Sequence, residues 1–388
     1  MAYGFEGGAV TVPPRPKLLY LVTEDWYFCS HRLPIARAAR LSGFDVAVAT
    51  RVRDHGEAIR GEGFRLVPLA RLSRRSLNPL RELAALFEIV RVYRRERPDI
   101  VHHVALKPVL YGSLAARIAG VPRVVNALTG MGYVFVSRDP TARLLRLVVG
   151  LLFRFVLGHG RNRLVLQNPD DARMLIGAGV VDESRVAVIR GSGVDTTRFS
   201  PAPPPSGTPV AILVSRMLWD KGVGETVAAA RLLHQRGVPL RVVLVGDTDP
   251  ENPAAIPAEQ LRAWRDEHAV EWLGHRSDVP ALLRAAHIAV LPSYREGLPK
   301  SLLEAAACGL PLVASDVPGC REIARHGENG ILVPPRTEAA LADALERLAR
   351  DPELRAVMGR RGRELAERHF SEGAVAAETL AVYRELLG

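Results

Sequence analysis

Cysteine is scarce in this 388-residue chain: Cys29, Cys308 and Cys320 are its only three. They cannot build a disulfide framework and have no metal-ligand spacing, which excludes a disulfide-stapled secreted domain and fits a reducing compartment. Aromatic residues make up 6%, and no interleaving of aromatic with basic residues offers a stacking groove for single-stranded nucleic acid. No uncharged apolar run approaches the ~20 residues of a membrane-spanning helix. The longest candidate, Leu144 to Leu157, is broken by Arg146 and Arg154. Met1 to Pro16 lacks a basic start followed by an apolar core, so no signal peptide is expected. Repeats of 20 to 50 residues are also lacking, beyond two related halves.

What is present is the make-up of a soluble globular protein, 48% hydrophobic and 24% charged, long enough for two α/β cores. The net charge of +10 implies an acidic partner: anionic lipid, nucleic acid or a phosphorylated substrate. In the first half, apolar strand patterns at Lys17 to Val22, Asp45 to Thr50, Arg65 to Pro68, Ile100 to His103, Arg123 to Asn126 and Leu164 to Leu166 alternate with helical ones. Such alternation predicts a doubly wound parallel sheet with its ligand crevice at the carboxyl ends of the strands.

The most informative stretch runs from His287 to Ser315. An apolar strand, Ile288 to Leu291, leads into a loop carrying Glu296 and Gly297. Pro299 suits a helix start, and Leu302, Leu303, Ala306 and Ala307 give that helix an apolar face until Gly309. Free amides at a helix N-terminus hold phosphate, so Gly297, Leu298, Pro299, Lys300 and Ser301 are candidates for a phosphate cradle. Glu296 and Glu304 flank it and would repel phosphate itself. They suit hydroxyls on either side of a diphosphate, and a nucleotide sugar has that arrangement.

Glu296 and Glu304, with seven residues between them, resemble the E-x7-E signature of retaining glycosyltransferases with the GT-B fold. The segment Ser-Tyr-Arg-Glu-Gly-Leu-Pro-Lys-Ser-Leu-Leu-Glu-Ala around them is similar to glycosyltransferase family 4. This resemblance implies an α/β protein of two doubly wound, Rossmann-like domains facing across a cleft. The boundaries expected are 1–200 for an acceptor domain, 201–370 for a donor domain, and 371–388 for a helix crossing back to the first. It implies that Arg216 and Lys221 neutralise the donor diphosphate and that Glu296 binds the donor sugar while Glu304 grips ribose. Gly246 would approach the nucleotide and Arg276 would meet the base. No metal or other cofactor is expected; the donor expected is a UDP-sugar, with GDP-mannose behind it.

The first half departs from the family pattern in two places. The loop Thr23 to Arg32 lacks the glycine pair of many relatives, which suggests a side-chain-lined acceptor pocket with His31 and Arg32 near it; a surface loop with His31 starting a helix is the alternative. In the loop from Asn126, Thr129 stands where many relatives have a histidine before Gly130, and a hydroxyl is no general base at neutral pH. Neighbouring strand residues point to opposite faces, so His102 and His103 cannot both face the crevice; His103 is the sugar-facing candidate and no metal pair is expected. Lys107, before Pro108, is either solvated or set to meet an acceptor phosphate.

Arg71, Arg74 and Arg75, then Arg91, Arg94, Arg95 and Arg97, form basic clusters suited to an anionic membrane. Leu144 to Leu157 is either an ordinary core helix or part of that contact. The reading is a retaining hexosyltransferase moving an N-acetylhexosamine or hexose from a UDP-sugar to a polyprenyl-diphosphate-linked saccharide in bacterial surface glycan assembly. Its expected place is cytoplasmic, peripheral on the inner face of the cell membrane. A GT-B nucleotide-sugar epimerase, active on donor alone, is the enzyme rival. A basic nucleic-acid-binding protein is the rival of another class.

Overall fold

The computed structural model of the chain describes residues 15–73, 78–130, 150, 152–157 and 160–388. Arg74, Arg75 and half of 144–157 lie outside the described residues.

The first sheet contains β1 (Lys17–Glu24), β2 (Asp45–Arg51), β3 (Arg65–Pro68), β4 (Ile100–Val104), β5 (Arg123–Leu128), β6 (Arg161–Leu166) and β7 (Val186–Val188), in the order β3-β2-β1-β4-β5-β6-β7. The second contains β8 (Val210–Val214), β9 (Arg241–Val245), β10 (Glu271–Trp272), β11 (Ile288–Leu291), β12 (Leu312–Ser315) and β13 (Gly330–Val333), in the order β10-β9-β8-β11-β12-β13. Every pairing is parallel. Strand order reverses at β1/β4 and again at β8/β11, and these two switch points are where doubly wound sheets open a ligand crevice.

The apolar runs become central strands because both faces are covered. On β1, Leu18, Tyr20 and Val22 pack under helix Leu33–Leu41 and the C-terminal helix Glu372–Leu387. Leu19 and Leu21 pack on the other side against helices Pro79–Glu96 and Leu106–Ala119. The second sheet has its own two cores, one of them containing Leu302, Leu303 and Ala306 of helix Lys300–Ala307.

The C-terminal helix returns to the first sheet through a short backbone bridge, in which Val194 N donates to Phe370 O at 2.8 Å and Glu372 N to Val194 O at 3.1 Å. Gly193 has φ +78°, and a Cβ there would lie 2.6 Å from Glu372 Cα. Only glycine fits that crossing. Further along, the buried Tyr383 hydroxyl shares hydrogen bonds with His102 Nδ1 at 2.5 Å and Tyr20 Oη at 2.9 Å.

Three local details differ from the sequence pattern. The stretch after β1 is no open loop: helix Asp25–His31 follows the strand directly. The short, half-buried edge strand β7 is too brief to read from alternation. Pro299 is the N-cap of its helix, one residue before the first helical position. The Tyr383 network supplies a stability test. Tyr383→Phe leaves His102 Nδ1 and Tyr20 Oη without their partner, at a cost of about 1–3 kcal/mol. A lowered melting temperature with unchanged far-UV circular dichroism is the expected result.

Candidate active site

At the second switch point the loop from Pro292 to Pro299 is tied to the turn after β8. Tyr294 N and Ser293 Oγ both donate to Asp220 O, at 2.9 and 3.0 Å. Gly222 closes that turn with φ +72°, and a Cβ on it would sit 2.2 Å from Pro292 O. These constraints carry Lys221 to the loop, where its Nζ donates to Glu296 Oε1 at 2.5 Å. Arg216 lies on the same side and its Nη1 donates to Asp249 Oδ2 at 2.7 Å. Burial raises the Asp220 carboxyl above its ordinary value, with Lys221 opposing and Glu296 adding to the rise. Two cations and three carboxylates therefore meet at one strand end.

Gly246 serves packing at least as much as any ligand, because a Cβ would lie 1.8 Å from Ser215 O. Arg276 is exposed and pairs with Asp278, donating at 2.8 and 2.6 Å. Leu298 is buried against Gly191. Glu304, inside helix Lys300–Ala307, is pushed up to about 7 by burial, against the pull of Lys300 and Arg198.

The loop also joins the two sheets. A Cβ on Gly297 would lie 2.3 Å from Thr129 O and 2.6 Å from Gln167 Oε1. Asn168, fully buried, donates from Nδ2 to Gly297 O at 2.9 Å, and Arg295 forms an ion pair with Asp171. Lys300 Nζ donates to Ser30 O at 2.5 Å. Sequence reasoning missed Gln167, Asn168, Asp171 and Arg295. Asn168 before Pro169 marks a helix N-cap, and its Oδ1 does accept from Asp171 N at 2.8 Å. Nothing local signals that its amide reaches across to Gly297.

Thr129, after β5, is brought to the Glu296 loop with Gly130 next to it in the chain, whereas His103 is not. It is 0% exposed and shares hydrogen bonds with Tyr93 Oη and Asn126 Oδ1 at 2.9 and 2.8 Å, beneath the sheet. Burial takes it down to about 4, with Asn126 opposing, so it is neutral and sealed off from the crevice. Lys107 sits in the first turn of its helix and donates to Glu82 Oε1 and Ser73 O, both at 3.0 Å, which ties it to neighbouring structure. His31 stacks on Tyr27 with ring centroids 4.2 Å apart. Burial first, then Lys300 and Arg32, push it down to about 3. Arg32 is 4% exposed. Arg71 is held through its backbone N, which donates to Glu88 Oε2 at 2.9 Å. Among the described residues no group of three or more His, Cys, Asp or Glu could hold a metal ion.

Two parallel sheets with opposed crevices and a paired-glutamate loop between them define a glycosyltransferase with the GT-B fold. Residues 195–365 match the family described as "Glycosyl transferases group 1", and residues 17–157 match "Glycosyl transferase 4-like". EpsD of Bacillus subtilis (strain 168), assigned as a glycosyltransferase, is 30% identical over 386 residues, covering 95% of this chain and 96% of its own. The N,N'-diacetylbacillosaminyl-diphospho-undecaprenol alpha-1,3-N-acetylgalactosaminyltransferase of Campylobacter jejuni subsp. jejuni serotype O:2 is 29% identical over 371 residues, covering 92% and 95%. Among solved structures, Anabaena HepE in complex with UDP and glucose matches with a TM-score of 0.77 at 18% identity, over 95% of this chain and 100% of that one. The chain belongs to the group 1, family 4-like glycosyltransferases. The relatives favour sugar transfer over both the epimerase and the nucleic-acid-binding readings.

The raised Glu304 has a stability consequence. Its folded value, about 7, stands above the ordinary 4.5, so its contribution is full below about pH 4.5 and is lost as pH rises through about 7. Glu304→Gln removes that dependence. Melting temperatures of the variant and the parent are expected to coincide below about pH 4.5 and to separate between about pH 4.5 and 7, the gap then holding steady, with the variant the more stable.

Proposed function

We propose that this glycosyltransferase moves an N-acetylhexosamine or hexose, with retention of anomeric configuration, from a UDP-sugar to a polyprenyl-diphosphate-linked saccharide in bacterial surface glycan assembly. The observation that carries the donor half is the Lys221–Glu296 pair, set eight residues before Glu304 across a loop and a helix N-terminus. UDP in the HepE complex, within the same fold, supports the base. The acceptor class is supported by the diphospho-undecaprenol substrate named for the Campylobacter relative, which aligns along nearly the whole of both chains.

In this reading Arg216 and Lys221 exchange their carboxylate partners for the diphosphate and stabilise charge developing on the leaving oxygen. Glu296, released from Lys221, accepts hydrogen bonds from donor sugar hydroxyls, and ionised Glu304 accepts them from ribose. The bond from the anomeric carbon to the phosphate oxygen breaks while one to the acceptor hydroxyl oxygen forms on the same face. The acceptor's proton passes to the departing diphosphate. Thr129, at the crevice, supplies a hydroxyl and no base. Residues 1–200 act as the acceptor half, 201–370 as the donor half, and 371–388 as the strap between them.

A bilayer-facing surface accompanies this acceptor. Leu80, Leu83 and Phe87 are 78%, 50% and 60% exposed at helical spacing on Pro79–Glu96, and the exposed Arg91, Arg94 and Arg95 follow on the same helix. Arg94 Nη2 donates to Ile118 O at 3.5 Å, and the Arg117 guanidinium lies 4.6 Å over the Phe155 ring, which extends the patch through exposed Ile118 and Phe155. Apolar side chains flanked by arginines suit the headgroup boundary of an anionic membrane. Among the described residues no helix is long and apolar enough to cross one.

Two measurements test the reading. With a UDP-sugar panel and a lipid-linked acceptor, Glu304→Ala is expected to raise the donor KM at least about tenfold, and Arg216→Ala to lower kcat by about a hundredfold or more. Near-normal kinetics in both variants would sink the donor assignment. For the surface, the double variant Leu83→Ser, Phe87→Ser should lose co-sedimentation with phosphatidylglycerol vesicles while keeping UDP binding. Unchanged sedimentation would remove the membrane from the picture.

A further inference from the structure

Arg32 is an exception among the arginines near the cleft. Arg216, Arg276 and Arg295 each have a carboxylate partner. Arg32 is more deeply buried than any of them, yet among the described residues its side chain forms no ion pair and no hydrogen bond, and its Nε is a buried donor without an acceptor. A guanidinium taken out of water without an anion is strongly unfavourable. Such an arrangement is sustained where an anion arrives from outside.

Its position says which anion. Arg32 separates helix Asp25–His31 from helix Leu33–Leu41, so it stands beyond the carboxyl end of β1. β1 pairs with β4 in the register Tyr20 to His102, Leu21 to His103 and Val22 to Val104, and this junction is the first sheet's switch point. Positive charge on Arg32 reaches His31, His102 and the hydroxyls of Tyr20 and Tyr383. His102 Nε2 is itself buried with no partner. From the opposite sheet Lys300 brings a second cation to this corner through its bond to Ser30 O. Arg32 thus has no carboxylate partner among the described residues, while the arginines of the donor crevice are paired with carboxylates.

We propose that Arg32 is the phosphate ligand of the acceptor site: its planar guanidinium takes phosphate oxygens of a diphosphate-linked acceptor, with Lys300 supplying the second charge from across the seam. This rests on the acceptor-and-donor reading above and specifies which group on the acceptor is recognised. A fork of parallel donors fits phosphate, and no lysine reproduces its geometry.

The test uses the full chain saturated with UDP, which fills the donor crevice, and calorimetry with three probes: farnesyl diphosphate, inorganic pyrophosphate and farnesol. The parent should bind the first two and not farnesol, since phosphate rather than lipid is read. Arg32→Met should weaken both phosphate probes at least tenfold and leave UDP affinity unchanged. It should also melt higher than the parent, because it removes a buried unpaired charge. Arg32→Lys, which keeps the charge without the fork, should fold and bind with intermediate affinity. Parent-like binding of farnesyl diphosphate by Arg32→Met overturns the proposal, as does farnesol binding that falls in step with it. If Arg32→Met melts well below the parent, the arginine is a structural element and the proposal fails; the Arg32→Lys titration then shows whether charge alone had sufficed. Failure of the parent to bind UDP would instead strike the donor reading, so the two are separable.

Discussion

Gly297 has no side chain because two sheets meet at its Cα. With Thr129 O and Gln167 Oε1 where a Cβ and its neighbours would have to go, any other residue would hold the sheets apart. The other contacts of the seam gather around this point. Asn168 reaches the Gly297 carbonyl, Arg295 meets Asp171, and Lys300 meets Ser30. Gly319 has φ +82°, and a Cβ on it would lie 2.5 Å from Gly297 O, so the loop is pressed from behind as well. A loop held on both sides has little freedom, and the glutamate preceding it is placed by packing rather than by its own rotamer preference.

That placement explains the charge pattern of the donor crevice. Lys221 and Glu296 neutralise each other, and Arg216 has Asp249. Pairs of this kind keep the cations pointing inward without leaving bare charge at a half-buried position. In the function proposed above, a diphosphate displaces carboxylates that are already well placed, so tight binding requires a ligand with more than one negative group. Discrimination against single anions follows from the competition itself.

The donor half was the legible half, because its chemistry is written in one contiguous run. Strand, loop, proline and helix from Ile288 to Ala307 lie next to one another in sequence, and a spacing of eight carries both glutamates. What escaped was long-range. Asp249 and Glu296, the partners of Arg216 and Lys221, lie 33 and 75 residues away. Helix Asp25–His31 has no side-chain cap at Glu24. Its anchor is Asp25, whose carboxylate accepts from the backbone N of Arg53 and His55 at 2.6 and 2.9 Å, contacts that local pattern does not encode. The same holds for His103: two adjacent histidines in a strand pattern cannot announce that Tyr93 and Asn126 will enclose one and Tyr383 will seat the other.

The two crevices therefore solve opposite electrostatic problems with the same fold. In the second sheet, carboxylates pair with the cations Lys221 and Arg216. In the first, the sheet end is closed over by helix Asp25–His31, whose own carboxylate is fully committed to backbone amides of the next loop. The neighbouring Glu24 pairs with Arg53 at 3.4 Å. Among the described residues neither Glu24, which ends β1, nor Asp25, which begins the helix, forms an ion pair with Arg32. With the Asp25 carboxylate spent on holding the helix in place, Arg32 stands at the switch point without a carboxylate partner among the described residues.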